Sequence, residues 1–93
     1  MGPDIRIVIL QRGWVTVGEY ETLDGAVGAD QRRLVNAKVI RRWGTTKGLG
    51  ELVDGPLPNT ILDPAGEVRF HALGEVASIV VNAKKWRPVL CGA

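Results

Sequence analysis

All three tryptophans in this chain follow basic residues: Arg12-Gly13-Trp14, Arg41-Arg42-Trp43 and Lys84-Lys85-Trp86-Arg87. Aromatic platforms beside cations are what single-stranded nucleic-acid binding uses, with rings stacking on bases and charge meeting phosphates. Arg and Trp are also the residues most enriched among protein–protein hot spots. Against both readings, an indole can pack into the core while its basic neighbours point to water. A net charge of +2 is low for a dedicated nucleic-acid binder.

Catalytic chemistry finds little to work with. The only serine, Ser78, sits inside an apolar run, whereas a nucleophile normally stands on a turn with a base in reach. His71 falls at the end of a strand pattern and Cys91 near the chain end, where a thiol is more often incidental than activated. One histidine and one cysteine fall short of the three or four ligands a zinc site needs. We expect no enzyme activity, no metal and no cofactor.

The run Gly44-Thr45-Thr46-Lys47-Gly48-Leu49-Gly50 resembles a phosphate loop only in composition. The motif needs Gly-Lys followed by Ser or Thr and then a long helix; here Lys precedes Gly. Successive N–H groups in such a turn can still cup an anion. The favoured reading is that the glycines supply positive φ in a packed loop.

The elements that must position these residues are strands. Ile5–Gln11 is β-branched, with Ile5, Ile7 and Ile9 on one face and Val8 and Leu10 on the other, which predicts a central strand. Trp14–Glu21 follows after Arg12-Gly13 and most simply pairs with it as a hairpin. Thr22–Gln31 reads as a polar, flexible loop and Leu34–Trp43 as a third strand with a bulge or bend. In the long segment from Gly44 to Pro58, Leu49–Val53 is expected to form one helical turn that plugs an open end of the sheet. Thr60–Leu62 and Val68–His71 flank Asp63-Pro64-Ala65-Gly66, whose chemistry predicts a type I hairpin turn. Glu75–Val81 leaves little polar face and is expected to be buried on both sides.

Ninety-three residues, 45% hydrophobic and 24% charged, fit a single domain spanning 1–93, with residues 87–93 expected as a flexible tail. The predicted class is mostly β: a small antiparallel barrel or sandwich of about six strands with at most one short helical turn. The longest unbroken apolar run, Ile7–Leu10, cannot span a bilayer, and no signal-peptide pattern stands out. A lone cysteine allows no intrachain disulfide. We therefore expect a cytoplasmic protein without membrane association.

Charge is unevenly placed. Gln31–Gly50 carries Arg32, Arg33, Lys38, Arg41, Arg42 and Lys47 and no acid, while Asp4–Asp30 carries five acids against Arg6 and Arg12. Cross-strand pairing within one sheet is favoured over a two-faced surface.

The stretch Val39-Ile40-Arg41-Arg42-Trp43-Gly44-Thr45-Thr46-Lys47-Gly48-Leu49-Gly50-Glu51-Leu52 resembles a segment found in small bacteriophage and prophage proteins of unassigned activity. The similarity continues through Gly55-Pro56, Asn59-Thr60, Leu62-Asp63-Pro64, Gly66 and Val68-Arg69, and includes Ile7–Val15. It implies a phage or prophage accessory protein that binds a host or phage macromolecule in the cytoplasm of a bacterial host. It carries no catalytic residue over.

The resulting expectation is a non-enzymatic module whose partner, a protein with an acidic surface, meets Arg41, Arg42, Trp43, Lys47, Gly48 and Gly50. The alternative is single-stranded nucleic acid bound through Arg12, Trp14, Lys84, Lys85, Trp86 and Arg87. The apolar faces of the first and last strands also admit a homo-oligomer.

Overall fold

The computed structural model describes residues 4–23 and 31–91. Five strands form one antiparallel sheet: β1 (Ile5–Leu10), β2 (Trp14–Leu23), β3 (Gln31–Arg42), β4 (Ile61–His71) and β5 (Glu75–Val80), in the order β4-β3-β2-β1-β5. A nine-residue helix, α1 (Ala83–Cys91), follows β5. The protein is mostly β, as composition and patterning predict. The sheet is open, though, with five strands in place of a closed barrel or a six-stranded sandwich.

β1 is interior, and its two apolar faces feed two separate cores. Ile5 and Ile7 join Val15, Val17 and Ile40 on one face, covered by Trp86 and Leu90 of α1 and by Leu49 and Leu52. Val8, on the other face, packs with Leu34 and Ala37, flanked by Leu10, Tyr20, Val68 and Phe70. A strand apolar on both sides is what a two-core sheet requires.

The connection from β4 to β5 forces the sheet to curl. Only Ala72–Gly74 separates two strands that lie at opposite edges. Four Cα steps reach about 14 Å at most, whereas the edges of a flat five-stranded sheet stand about 19 Å apart. The curl comes from irregularities. The β2/β3 register shifts between Val17 and Glu19, and the β3/β4 register shifts at three places. Asn36 and Gly66 have positive φ (54° and 70°) at the β3/β4 shifts. Inside the curl, Tyr20 contacts the Phe70 ring at 6.3 Å between centroids, and the Arg6 guanidinium lies 4.2 Å from the Tyr20 ring centre.

The expected hairpin at Asp63–Gly66 is absent. β4 runs straight through it, so Thr60–Leu62 and Val68–His71 belong mostly to one strand, Ile61–His71. Asp-Pro-Ala-Gly serves here as a bulge: Gly66 supplies the positive φ and faces Ala37, and Pro64 faces Lys38. Proline's missing donor is tolerated because β4 is an edge strand. β3 begins at Gln31 and β2 extends to Leu23, so the expected Thr22–Gln31 loop is shorter than its sequence implies; residues 24–30 lie outside the described ones.

Two further expectations change. β5 is an edge strand and is not buried on both sides: Val76 and Val80 are 65% and 57% exposed. Residues 87–91, expected within a tail, form the second half of α1, with Leu90 in the core. The helix starts on Asn82, whose Oδ1 accepts from the Lys84 amide at 3.1 Å. Residues 92 and 93 lie outside the described ones.

The helical turn expected at Leu49–Val53 is present as a 3-10 helix, Leu49–Asp54. Leu49 and Leu52 enter the core, and the Asn82 amide donates to the Val53 carbonyl at 2.8 Å just beyond β5.

Candidate functional site

The three indoles divide two against one. Trp86 is fully buried under the 3-10 helix, and its Nε1–H donates to the Leu52 carbonyl at 2.7 Å. Trp14 and Trp43 are exposed, at 58% and 41%. Trp14 precedes Thr16 by two residues and Trp43 follows Val39 by four, and Thr16 pairs with Val39. Both exposed indoles therefore sit at the same end of the sheet. Leu73, 80% exposed, joins them from the β4–β5 connection, where its carbonyl accepts from Gln11 Nε2.

Arg41 and Arg42 stand at this end, and only Arg41 is held. Its Nε donates to Asp63 Oδ2 at 2.8 Å, with both side chains substantially exposed. An exposed pair of this kind contributes at most about 1 kcal/mol. Arg42 and Arg12 are exposed and, among the described residues, have no ion pair. Arg12 occupies a tight turn with φ 66°, which aims the chain straight back into Trp14.

The Gly44–Gly50 loop is held by residues that follow it in the chain. Thr60 Oγ1 donates to the Trp43 carbonyl at 2.6 Å and accepts from the Leu57 amide at 2.9 Å. Gly44 has φ 67°, and a Cβ there would come within 2.3 Å of the Asn59 backbone, so no larger residue fits. The Lys47 amide donates to Glu51 Oε2 at 3.0 Å. A carboxylate of the chain itself thus takes the position an anion would need. The glycines pack a loop, and the phosphate reading finds no support in this geometry. Lys47 and Gly50 are exposed, and Gly48 is half-buried with φ 101°.

The third basic–tryptophan cluster is taken apart by α1. Trp86 faces the core, Arg87 Nη1 donates to Glu19 Oε1 at 2.9 Å, and only Lys84 and Lys85 remain exposed. Of the residues expected to bind nucleic acid, Arg12 and Trp14 therefore stand together with Arg41, Arg42 and Trp43; Lys84, Lys85, Trp86 and Arg87 do not join them.

Part of the uneven charge resolves into cross-strand pairs, at Arg33 and at Arg41. Arg33 Nε donates to Glu21 Oε1 at 2.6 Å between β2 and β3, and the same guanidinium lies 3.8 Å from Glu67 on β4. The hydrogen bond to Glu21 holds the Arg33 pKa above its ordinary value. Hydrogen bonding by Arg69, assisted by Arg33, holds the Glu67 carboxyl below its own. His71 is exposed and its Nδ1 accepts from the Leu73 amide, so one ring nitrogen is occupied structurally. Among the described residues no group of three or more His, Cys, Asp or Glu could hold a metal ion.

Fold and site together define a small open-sheet β protein with an aromatic, arginine-bearing end. No protein-family model matches the chain, and no curated protein or solved structure matches it either. Sequence reasoning missed Leu73; its signal was a large apolar residue in a connection beside glycine.

Proposed function

We propose that this chain is a non-enzymatic binding module, a phage or prophage accessory protein whose partner is a host or phage protein with an acidic surface. The observation that supports this most is the gathering of Trp14 and Trp43, both exposed, with Arg12, Arg41 and Arg42 at one end of a stiff sheet. An exposed indole has nothing to gain from water, and a guanidinium beside it supplies charge and planar hydrogen bonding to a carboxylate. No helix among the described residues is long and apolar enough to cross a membrane, which fits a module that works in the bacterial cytoplasm.

Pull-down from host lysate tests the reading. Wild-type protein should retain a partner that the Arg41→Glu, Arg42→Glu double variant loses. Retention of every partner by the double variant overturns the patch.

The same two indoles favour a second reading, single-stranded nucleic acid, because Arg12 and Arg42 flank them without ion pairs among the described residues. A labelled oligonucleotide titrated at low and moderate salt discriminates. Phosphate-driven binding must weaken steeply as salt rises, and no binding at low salt removes this reading.

A further inference from the structure

Arg12 stands where the backbone least favours an arginine. Its φ is 66° and that of Gly13 is 81°, so two successive residues of the β1–β2 turn are left-handed. Asn-Gly or Gly-Gly fits such a pair, whereas a long side chain there carries steric strain. Strain at a non-glycine residue is a reason to look for a use of its side chain. The fold itself makes none. The Arg12 side chain is exposed and has no hydrogen bond or ion pair among the described residues.

The surroundings of Arg12 are held still. Trp14 opens β2 paired with Leu10 and leaves its ring 58% exposed. Gln11 Nε2 donates to the Leu73 carbonyl at 3.3 Å, and the Leu73 amide donates to His71 Nδ1 at 3.0 Å. Both backbone groups of Leu73 are thereby engaged, and the β4–β5 connection is tied to the β1–β2 turn, while the leucine side chain stays exposed. Asp63, Glu51 and Glu75 engage their carboxylates within the chain, with Arg41, the Lys47 amide and Tyr20. None of these three acids answers Arg12.

We infer that Arg12 anchors the partner: its guanidinium takes a carboxylate of a short acidic segment, whose neighbouring apolar side chain lies on Trp14 and Leu73. The inference rests on the binding-module reading above and adds the β1–β2 turn to that surface. Charge complementarity selects the occupant, because a planar fork without a partner matches a carboxylate in two parallel bonds. The fixed backbone on either side means that little ordering is required when the segment arrives.

Titration with a short capped peptide of glutamates and leucines, followed by nuclear magnetic resonance, tests this. The indole N–H of Trp14 should shift and that of buried Trp86 should not. The same peptide with lysines for glutamates should leave both in place. Arg12→Gly should bind roughly tenfold more weakly. It should also raise the urea midpoint by roughly 0.5 M, because the strain is relieved. Arg12→Lys keeps the charge and the strain without the fork, so it should recover part of the affinity and none of the stability. Equal affinity of Arg12→Gly and wild type, or a lower urea midpoint in Arg12→Gly, overturns the role of Arg12 and leaves the module reading standing. A wild-type chain that ignores the peptide also overturns the inference. The module reading falls with it only if the pull-down with the Arg41→Glu, Arg42→Glu variant fails as well.

Discussion

β4 closes one side of the sheet with Pro64, Gly66, Glu67 and Arg69 exposed, whereas β5 closes the other with Val76, Ala77 and Val80. Both are edge strands of the same antiparallel sheet. The first carries the usual defences of an unpaired strand: a proline, a bulge with positive φ, and charges locked in pairs with Arg33 and Arg69. The second carries one charge, Glu75, and turns it inward to accept from the Tyr20 hydroxyl at 2.7 Å. An edge guarded against strand addition and an edge left open are different surfaces, although both are strands of ordinary composition.

The largest expected effect comes from removing what bounds the open edge. Trp86 pins the Leu49–Asp54 helix through its bond to Leu52, and that helix takes the amide just past β5. Trp86→Ala should cost about 3–5 kcal/mol, a large part of the 5–15 kcal/mol typical of such domains. Urea unfolding measures it. A loss under about 1 kcal/mol would mean that the indole is not part of the core.

A pair of prolines sharpens the comparison within β5 itself. The Val81 amide donates to the Ile5 carbonyl, and inward amides alternate, so that of Ile79 faces Ile7. Ile79→Pro removes an inward amide and leaves the Ile7 carbonyl without its donor, at a cost of about 1–3 kcal/mol beyond strain. Ser78→Pro removes an outward amide that has no partner among the described residues, so it should be the milder variant. The variant should remain folded by circular dichroism. If Ser78→Pro proves the more damaging, the assigned parity is reversed.

The same contrast shows what the sequence made legible. β1 and its partner β2 could be read directly, because β-branched alternation and a two-residue break are local signals that no other part of the chain contradicts. The Leu49–Asp54 turn was legible too, since two leucines between glycines have nowhere to go but the core. The failures concern neighbours. Asp63-Pro64-Ala65-Gly66 has the same local chemistry in a turn and in a bulge, and only the irregular β3 opposite it decides between them. β5 looks buried because it is apolar on both sides, yet the sheet order that leaves it at an edge is written in chain connectivity and not in its own residues. α1 escaped notice because Pro88 interrupts it, but Asn82 as a cap and Trp86 four residues before Leu90 are a helix start and a buried stripe. At the site, the spacing of basic residues and indoles was plain, while which indoles face water depended on that unread helix. Arg41-Arg42-Trp43 lies on a strand end and remains exposed; Lys84-Lys85-Trp86 lies on α1 and turns its ring inward.

The smallest expected effect isolates the inward use of Glu75. Tyr20 is the only tyrosine, so phenolate absorbance reports it alone. Burial, reinforced by the Glu75 carboxylate, raises its pKa above 10.0, although Arg32 pulls the other way. A native pKa above the unfolded one means that the folded state holds its proton more tightly. The associated stability is complete below pH 10 and is lost as pH rises through the raised value. Glu75→Gln removes the negative charge and leaves the burial, so the midpoint should fall toward the ordinary value without reaching it. An unchanged midpoint would show that Glu75 does not serve the inner face. The charge would then stand free at the start of β5 as an ordinary edge guard, and the two edges of the sheet would be less unlike than their residues suggest.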